Sequence, residues 1–426
     1  MAAIPFLVMF VLFLAGTPIA FSLMAATALF FWFNDQSLVG LAHRTIVGSE
    51  SFVLTAIPFF ILAALIMNSG GITRRIIQFA DSLIGSLPGS TAQVGIVASM
   101  INSGITGSSL ADCAGIGGVL VPEMIKRGYD RPFTAAVIAA ASTIGPVIPP
   151  SIPFVIYGSI AGVSVGRLFL AGAIPGILIG LVLMASTHVI SIRRGFERGP
   201  KPTLSGVVRG FRQGILALIM PGLILGGIGF GIFTPTEAAA VACAYAVLIT
   251  GVVYLELRPH HLNEIIRDTI GMAIPPLLII VAASPFSTML AWQQLPQQAA
   301  KAILDLSHDP LAVLLLLNLT FFLLGFVTDC FPIFYIITPL LLPVALAAKI
   351  DLVHLGVLIT INALLGNLTP PFGLLMFLSC NMAGCSIPEF GRTAVPYIVA
   401  MAALLLFLTY FPGVVVWLPN LVMGPQ

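Results

Sequence analysis

The chain repeats itself, and what it repeats are residues that break helices. Thr17-Pro18 recurs as Thr234-Pro235, Ile57-Pro58 as Ile274-Pro275, and Ala111-Asp112-Cys113 as Thr328-Asp329-Cys330, each 217 residues on. After a four-residue insertion the offset becomes 221, which matches Pro122 to Pro343, Asp130 to Asp351 and Pro149-Pro150 to Pro370-Pro371. A duplicated hydrophobic chain that interrupts its helices at matched places has the pattern of a secondary transporter, whose binding site lies at the interruptions.

Composition points the same way. With 58% hydrophobic and 8% charged residues and a mean hydropathy of +1.09, the chain cannot present an ordinary soluble surface. Its long apolar runs, separated by short charged loops, are those of a polytopic all-α membrane protein. The net charge of +2 gives no case for nucleic acid, because the Lys and Arg residues sit in loops between spans. The five cysteines, at 113, 243, 330, 380 and 385, lie in apolar segments without zinc spacing and read as free packing residues. The segment Met1-Ala-Ala-Ile-Pro5 lacks the positive n-region of a cleaved signal peptide, so residues 1–16 read as a genuine span.

Residues 215–256 hold two hydrophobic stretches, 215–232 and 236–255, divided at Thr234-Pro235. As one helix they would run roughly 63 Å, twice a ~30 Å bilayer core, so the chain crosses twice here. By the repeat, 4–16 and 18–33 are also two short spans. The first half continues with a span at 52–69, a short amphipathic arm at 72–86, a hairpin at 89–127, a broken span at 132–165 and a last span at 168–190. The second half answers with 273–290, 291–308, a hairpin at 310–346, a broken span at 352–385 and a last span at 393–417. If each hairpin is re-entrant, each half crosses five times, and the odd number inverts the second repeat relative to the first. Placing the 191–213 linker in the cytoplasm then puts 14 of the 18 Lys and Arg residues inside and only Arg44, Arg167, Lys301 and Lys349 outside. The positive-inside rule favours that arrangement, with both termini periplasmic.

Non-helical backbone at membrane depth is tolerated only inside protein or beside a water-filled cavity. Four such places are legible: around 102–109, around 325–329, at Thr143 to Ser151, and at Gly366 to Pro371. Proline frees the carbonyl four residues earlier and glycine admits unusual dihedrals. Freed carbonyls and Ser/Thr hydroxyls suit Na⁺, while the half-helix N-termini offer N–H groups and a positive dipole end to an anion. One Na⁺ per repeat, with an anionic substrate between, is the economical arrangement. Asp329 is an intramembrane carboxylate and therefore a functional candidate. Ser109-x-x-Asp112 also fits a helix N-cap with an acidic N3 residue, a purely structural role, and Thr234-Pro235-Thr-Glu237 reads as a capping box. The Gly-rich run from Gly222 to Gly231 reads as helix packing.

Enzymatic signals are poor. Gly162-Val-Ser164-Val-Gly166 matches a nucleophile elbow but follows no strand and has no acid–base partners. Neither an HExxH motif nor a phosphate-binding loop is present, so zinc proteolysis and ATP hydrolysis lack support. His260-His261 reads as a cytoplasmic interface feature rather than a metal site. The chain is not expected to be an enzyme.

Gly107-Ser-Ser-Leu-Ala-Asp112, Ile148-Pro-Pro-Ser151, Phe233-Thr-Pro-Thr-Glu237 and Asn367-Leu-Thr-Pro-Pro371, in this order, resemble the large membrane (M) subunit of tripartite ATP-independent periplasmic (TRAP) transporters. The likeness covers essentially all 426 residues. It implies an inverted-repeat, elevator-type fold, in which a transport unit of two re-entrant hairpins and two broken helices (89–165 and 310–385) slides against scaffold helices (1–86 and 214–308). The first repeat would be 1–190 and the second 214–426. The resemblance further implies two partners: a small four-span membrane subunit, here expected as a separate polypeptide, and a soluble periplasmic binding protein that delivers an organic acid. One Na⁺ would sit at Ser103, Ser108, Gly145 and Ile148, and a second at Gly325, Thr328, Gly366 and Thr369, several of them acting through backbone carbonyls. The substrate carboxylate would lie near Ser108, Ser151 and Asp329. Asp329 would accept from substrate hydroxyls or offset a Na⁺ charge, and a polyhydroxylated acid such as a sialic acid would suit that better than a plain C4-dicarboxylate. The alternatives are a sodium/dicarboxylate-type transporter that uses no binding protein and a passive anion channel.

Overall fold

Of the repeat-matched prolines, those at Thr17-Pro18/Thr234-Pro235 and Pro149-Pro150/Pro370-Pro371 fall where helices end. Pro58, Pro275, Pro122 and Pro343, expected to break helices, lie inside them, where only one backbone donor is lost. The computed structural model describes residues 4–50, 52–196, 198–326 and 330–425. Among these residues there is no strand, only an isolated bridge between Pro88 and Arg198. Among the described residues six helices are long and apolar enough to cross a membrane: Val165–Arg194, Leu204–Gly229, Pro235–Val253, His261–Trp292, Cys330–Ala347 and Ile387–Tyr410. Large hydrophobic side chains such as Leu7, Leu181, Val252 and Phe407 are exposed along these and the shorter apolar helices, as lipid-facing residues should be. The chain is an all-α polytopic membrane protein.

Each repeat opens on a helix pair split at Thr-Pro. Ile4–Leu14 and Ile19–Phe33 are divided at Gly16-Thr17-Pro18, where Gly16 takes a φ of +79°. Their counterparts are Leu204–Gly229 and Pro235–Val247, the latter continued by a wider π turn over Leu248–Val253. The capping box forms as the residues suggest: the Thr234 hydroxyl accepts from Glu237 N–H at 3.3 Å and the Glu237 carboxylate accepts from Thr234 N–H at 2.8 Å. Thr203 caps Leu204–Gly229, so only Gly195–Thr203 separates that helix from Val165–Arg194.

Three outer helices differ from the sequence reading. A helix Leu38–Ser49 precedes the expected span at 52–69, which itself begins as a 3₁₀ turn and runs to Ser69. Its counterpart, read as 273–290, is a single helix Pro259–Trp292 of 34 residues. Both extra segments carry polar side chains, His43 and Arg44 in one and Glu264, Arg267 and Asp268 in the other, which lower hydropathy without stopping a helix. The sequence places the last span at 393–417. Instead, Ile387–Tyr410 stops at Phe411, and Pro412, which cannot donate a hydrogen bond, opens a separate helix Pro412–Met423.

The amphipathic arm Ile72–Ile84 ties the repeats together. Arg75 pairs with Glu256 at 2.6 Å, stacks 3.8 Å over the Tyr254 ring and donates to the Gly70 and Gly71 carbonyls. The first helices of the two broken spans form the centre of the molecule. Every residue of Arg131–Ser142 from Phe133 on, and of Leu352–Leu368 from Val353 on, is buried. The units interlock: Leu374–Ala383 packs on both Arg131–Ser142 and Ser109–Lys126, and the Tyr157 hydroxyl donates to the Leu352 carbonyl at 2.7 Å. Glycine is required at 356, where a Cβ would lie 2.4 Å from the Tyr157 ring.

Candidate functional site

The first hairpin has arms Ser90–Thr106 and Ser109–Lys126, joined at Gly107-Ser108. Gly107 takes φ +58°, and a Cβ on it would lie 2.3 Å from the Pro150 carbonyl oxygen, so only glycine allows the tip to rest on the first break. That break runs from Thr143 to Ser151, between Arg131–Ser142 and Ile152–Ala161. Ser108 is the N-cap of the second arm, accepting from Ala111 N–H at 3.4 Å. This corrects the reading of Ser109 as N-cap with Asp112 at N3, since Asp112 falls one position later.

Asp112 turns back into the hairpin. It is fully buried, and it accepts from Asn102 Nδ2 at 2.7 Å, Thr106 Oγ1 at 2.6 Å and Ser103 Oγ at 3.2 Å. No basic side chain pairs with it among the described residues. The point where a Cβ on Gly145 would sit lies 2.5 Å from Asp112 Oδ2 and 3.1 Å from the Ser108 carbonyl oxygen. Ser103, Ser108 and Gly145 therefore converge on one spot, as the resemblance implied, with Asp112 added. Ile148 contributes backbone there at most, because its side chain packs against Gly176 of the following span.

Ser151 is completely buried, and its hydroxyl is already committed: it donates to the Pro146 carbonyl and accepts from Phe154 N–H at 3.3 Å. Ile152 N–H donates to the Gly107 carbonyl, and residue 153 is proline. The half-helix N-terminus expected to offer N–H groups to an anion thus has its first donors occupied, leaving only its dipole. In the second repeat the corresponding helix, Leu374–Ala383, begins at Gly373 with no side-chain cap.

The second hairpin meets the second broken span through the repeat-equivalent pair, but Gly366 lies in the last turn of Leu352–Leu368, so the opening expected from Gly366 begins only at Thr369. A Cβ on Gly366 would lie 2.3 to 2.5 Å from the backbone of Gly325, so the two glycines touch main chain to main chain. Gly366 stands 221 residues after Gly145, and Gly325 stands 217 after Ser108. Thr369 lies at the C-terminal cap of Leu352–Leu368, its hydroxyl donating to the Leu365 carbonyl at 2.6 Å. Thr328 and Asp329 lie outside the described residues.

Polar residues that the sequence reading passed over complete both sites. Asn102 and Thr106 hold Asp112. Asn362, fully buried, donates to Asn318 Oδ1 at 2.7 Å, and Asn318 donates to Thr409 Oγ1 at 2.8 Å, linking hairpin, broken span and final span. The Asn362 side-chain oxygen has no partner among the described residues, and its main-chain oxygen lies 3.3 Å from the Cβ position of Gly325. The available signal was an amide in an otherwise apolar run, which hydropathy averaging removes.

A sequence profile described as "Tripartite ATP-independent periplasmic transporter, DctM component" matches residues 6–414. The chain is 37% identical to the sialic acid TRAP transporter large permease protein SiaM of Vibrio cholerae, over 96% of each chain. It is 37% identical to the sialic acid TRAP transporter permease protein SiaT of Haemophilus influenzae, over 98% of this chain and 68% of that one. Against the C4-dicarboxylate TRAP transporter large permease protein DctM of V. cholerae, identity is 34% over all of this chain and 98% of the relative. Among solved structures, the Alcanivorax borkumensis YdaH transporter superposes with a TM-score of 0.63 over 88% of each chain at 13% identity, which shows a shared fold.

Proposed function

This chain belongs to the DctM component family of the tripartite ATP-independent periplasmic transporters, and on that footing we propose that it is a sodium-driven permease for a carboxylate substrate in the bacterial inner membrane. The observation that carries the reading is the doubled contact of hairpin tip on broken helix, Ser108 at Gly145 and Gly325 at Gly366, with the buried Asp112 beside the first. A carboxylate so far from water, with no basic partner among the described residues, keeps its charge only if a cation lies near it and otherwise takes up a proton. Carbonyls, hydroxyls and a carboxylate are hard oxygen donors, the set that an alkali or alkaline-earth cation prefers. Ser103, Ser108, Gly145 and Ile148 would hold one Na⁺, with Asp112 supplying the charge. Gly325, Thr328, Gly366 and Thr369 would hold the other.

The substrate carboxylate would lie between the two ions near Ser108 and Ser151, held at Ser151 by the dipole of the half-helix rather than by its hydroxyl, which is already bonded. Asp329 would accept from substrate hydroxyls, which is why we favour a sialic acid over a C4-dicarboxylate. The relatives are named for each of these substrates, at similar identity. Transport would follow an elevator course, the hairpins and broken helices moving together against the outer helices, with both termini periplasmic. A small four-span membrane subunit and a periplasmic binding protein would complete the system. Reconstitution in liposomes with both partners, under an inward Na⁺ gradient, tests this by comparing sialic acid with C4-dicarboxylates. Saturable, Na⁺-dependent uptake that needs the binding protein is expected. Uptake at full rate without the binding protein would return the reading to a two-component sodium/dicarboxylate carrier.

A further inference from the structure

Two cavities beside the first hairpin share part of their lining. The smaller, about 20 Å³, touches Thr106, Ser108 and Ala111 at the hairpin tip and Leu65, Asn68 and Met272 opposite. The larger, about 470 Å³, begins at the same Leu65 and Asn68 and widens past Gly115 and Val119 of the hairpin's second arm to Arg74, Glu264 and Asp268. Met272, Asp268 and Glu264 are successive i, i−4 positions on Pro259–Trp292 and share one face of that helix. The eight residue steps from the first to the last cover ~12 Å, a measure of the way from tip to mouth.

Charge is distributed unevenly around this cleft. Arg75 is committed to Glu256 and Tyr254, whereas Arg74 is exposed and makes no ion pair or hydrogen bond among the described residues. Glu264 and Asp268, also exposed and without an ion pair among those residues, stand on the opposite wall. The hairpin side, Gly115 and Val119, is uncharged. A guanidinium matches a carboxylate in two-point geometry, and at a wet mouth solvent screening keeps the attraction weak, which suits passage rather than storage.

We propose that this cleft is the cytoplasmic release vestibule of the permease, with Arg74 a transit site for the departing carboxylate and Asp268 with Glu264 drawing the Na⁺ ions along the other wall. The assignment rests on the reading of this chain as a sodium–carboxylate symporter. Its test is the charge selectivity of thiol labelling. Val119→Cys, at a position 46% exposed, is placed in a chain whose five native cysteines have been replaced. Inside-out vesicles are then treated with membrane-impermeant anionic and cationic thiosulfonates of similar size. Modification from the cytoplasmic face is expected. The anionic-to-cationic rate ratio should fall about threefold in Arg74→Gln and rise comparably in Asp268→Asn. In reconstituted transport, Arg74→Gln should lower the maximal rate and leave external half-saturation unchanged. A labelling ratio indifferent to Arg74→Gln, or modification from the periplasmic face only, overturns the proposal. Labelling is read without transport, so failure of the wild type to take up any carboxylate would sink the symport reading alone.

Discussion

Replacing Asp112 by Asn removes one charge and almost no volume. Of its three side-chain donors, those from Asn102 and Thr106 reach Oδ1 and would find an amide oxygen in the same place. The Ser103 hydroxyl reaches Oδ2, the atom that becomes NH₂, but it also has the Ser99 carbonyl as acceptor. Folding should therefore lose no more than the ~1 kcal/mol of one rearranged hydrogen bond. The ion site should lose far more. Asp112 Oδ2 and the Ser108 carbonyl oxygen lie 2.5 and 3.1 Å from one point at Gly145, so a cation held there is within ~4 Å of the carboxylate. At an effective dielectric constant of about 20, a unit pair at ~4 Å is worth ~4 kcal/mol, a factor on the order of 10³ in affinity. Asp112→Asn should thus express and assemble normally while its half-saturating Na⁺ concentration rises at least a hundredfold. The assay is initial uptake in proteoliposomes against external Na⁺, with both partner proteins present. A half-saturating concentration within twofold of wild type, in protein of normal stability, would refute the argument and return Asp112 to a structural tie.

The remaining expectations concern the second site and the topology. Gly366→Ala forces a methyl into the Gly325 backbone, where nothing can rotate away; it should cost ~1–3 kcal/mol in thermal stability and impair Na⁺ dependence, while Gly413→Ala, with open space around it, should do neither. Thr369→Val keeps the shape and removes an oxygen, so half-saturating Na⁺ should rise; unchanged affinity and cooperativity would remove Thr369 from the site. Asp329→Ala should abolish uptake while leaving assembly with the small subunit intact, and robust transport by that variant would dismiss Asp329 as a substrate residue. Single cysteines at Arg198 and Arg258 should react only from the cytoplasm and one at Lys301 only from outside; external reaction at 258 would require an even number of crossings per repeat.

What could be read without coordinates was the part encoded in breaks. Prolines and glycines act locally, so Gly107, Thr143 to Ser151 and Gly366 to Pro371 announced the hairpin tip and both interruptions. Polarity within a helix is a weaker guide. Leu38–Ser49 and the charged first turns of Pro259–Trp292 were lost because hydropathy records burial in lipid, not helix formation. The direction of a side chain is another thing a sequence withholds. Asp112 looked like an acid near a helix start, yet its carboxylate folds back on Asn102, Ser103 and Thr106. Likewise Ser151 looked available to a ligand, but its hydroxyl is spent on Pro146 and Phe154. An amide in an apolar run marks Asn362, but neither the Gly325–Gly366 contact nor the side-chain oxygen of Asn362 left unpaired among the described residues can be read from sequence, because each depends on how two helices approach.

If the two broken repeats couple a carboxylate to Na⁺ rather than let it leak, an inward Na⁺ gradient must drive the substrate above its external concentration. Accumulation is measured at constant external Na⁺. Proteoliposomes carrying the permease and the small subunit, with binding protein outside, receive labelled substrate at equal external Na⁺, and the internal Na⁺ is set either low or equal. With low internal Na⁺ the substrate should accumulate well above its external concentration, and with equal Na⁺ and no membrane potential it should stop at parity. Uptake that ends at parity in both cases, at rates that do not saturate, would contradict coupling and identify the chain as a passive pore.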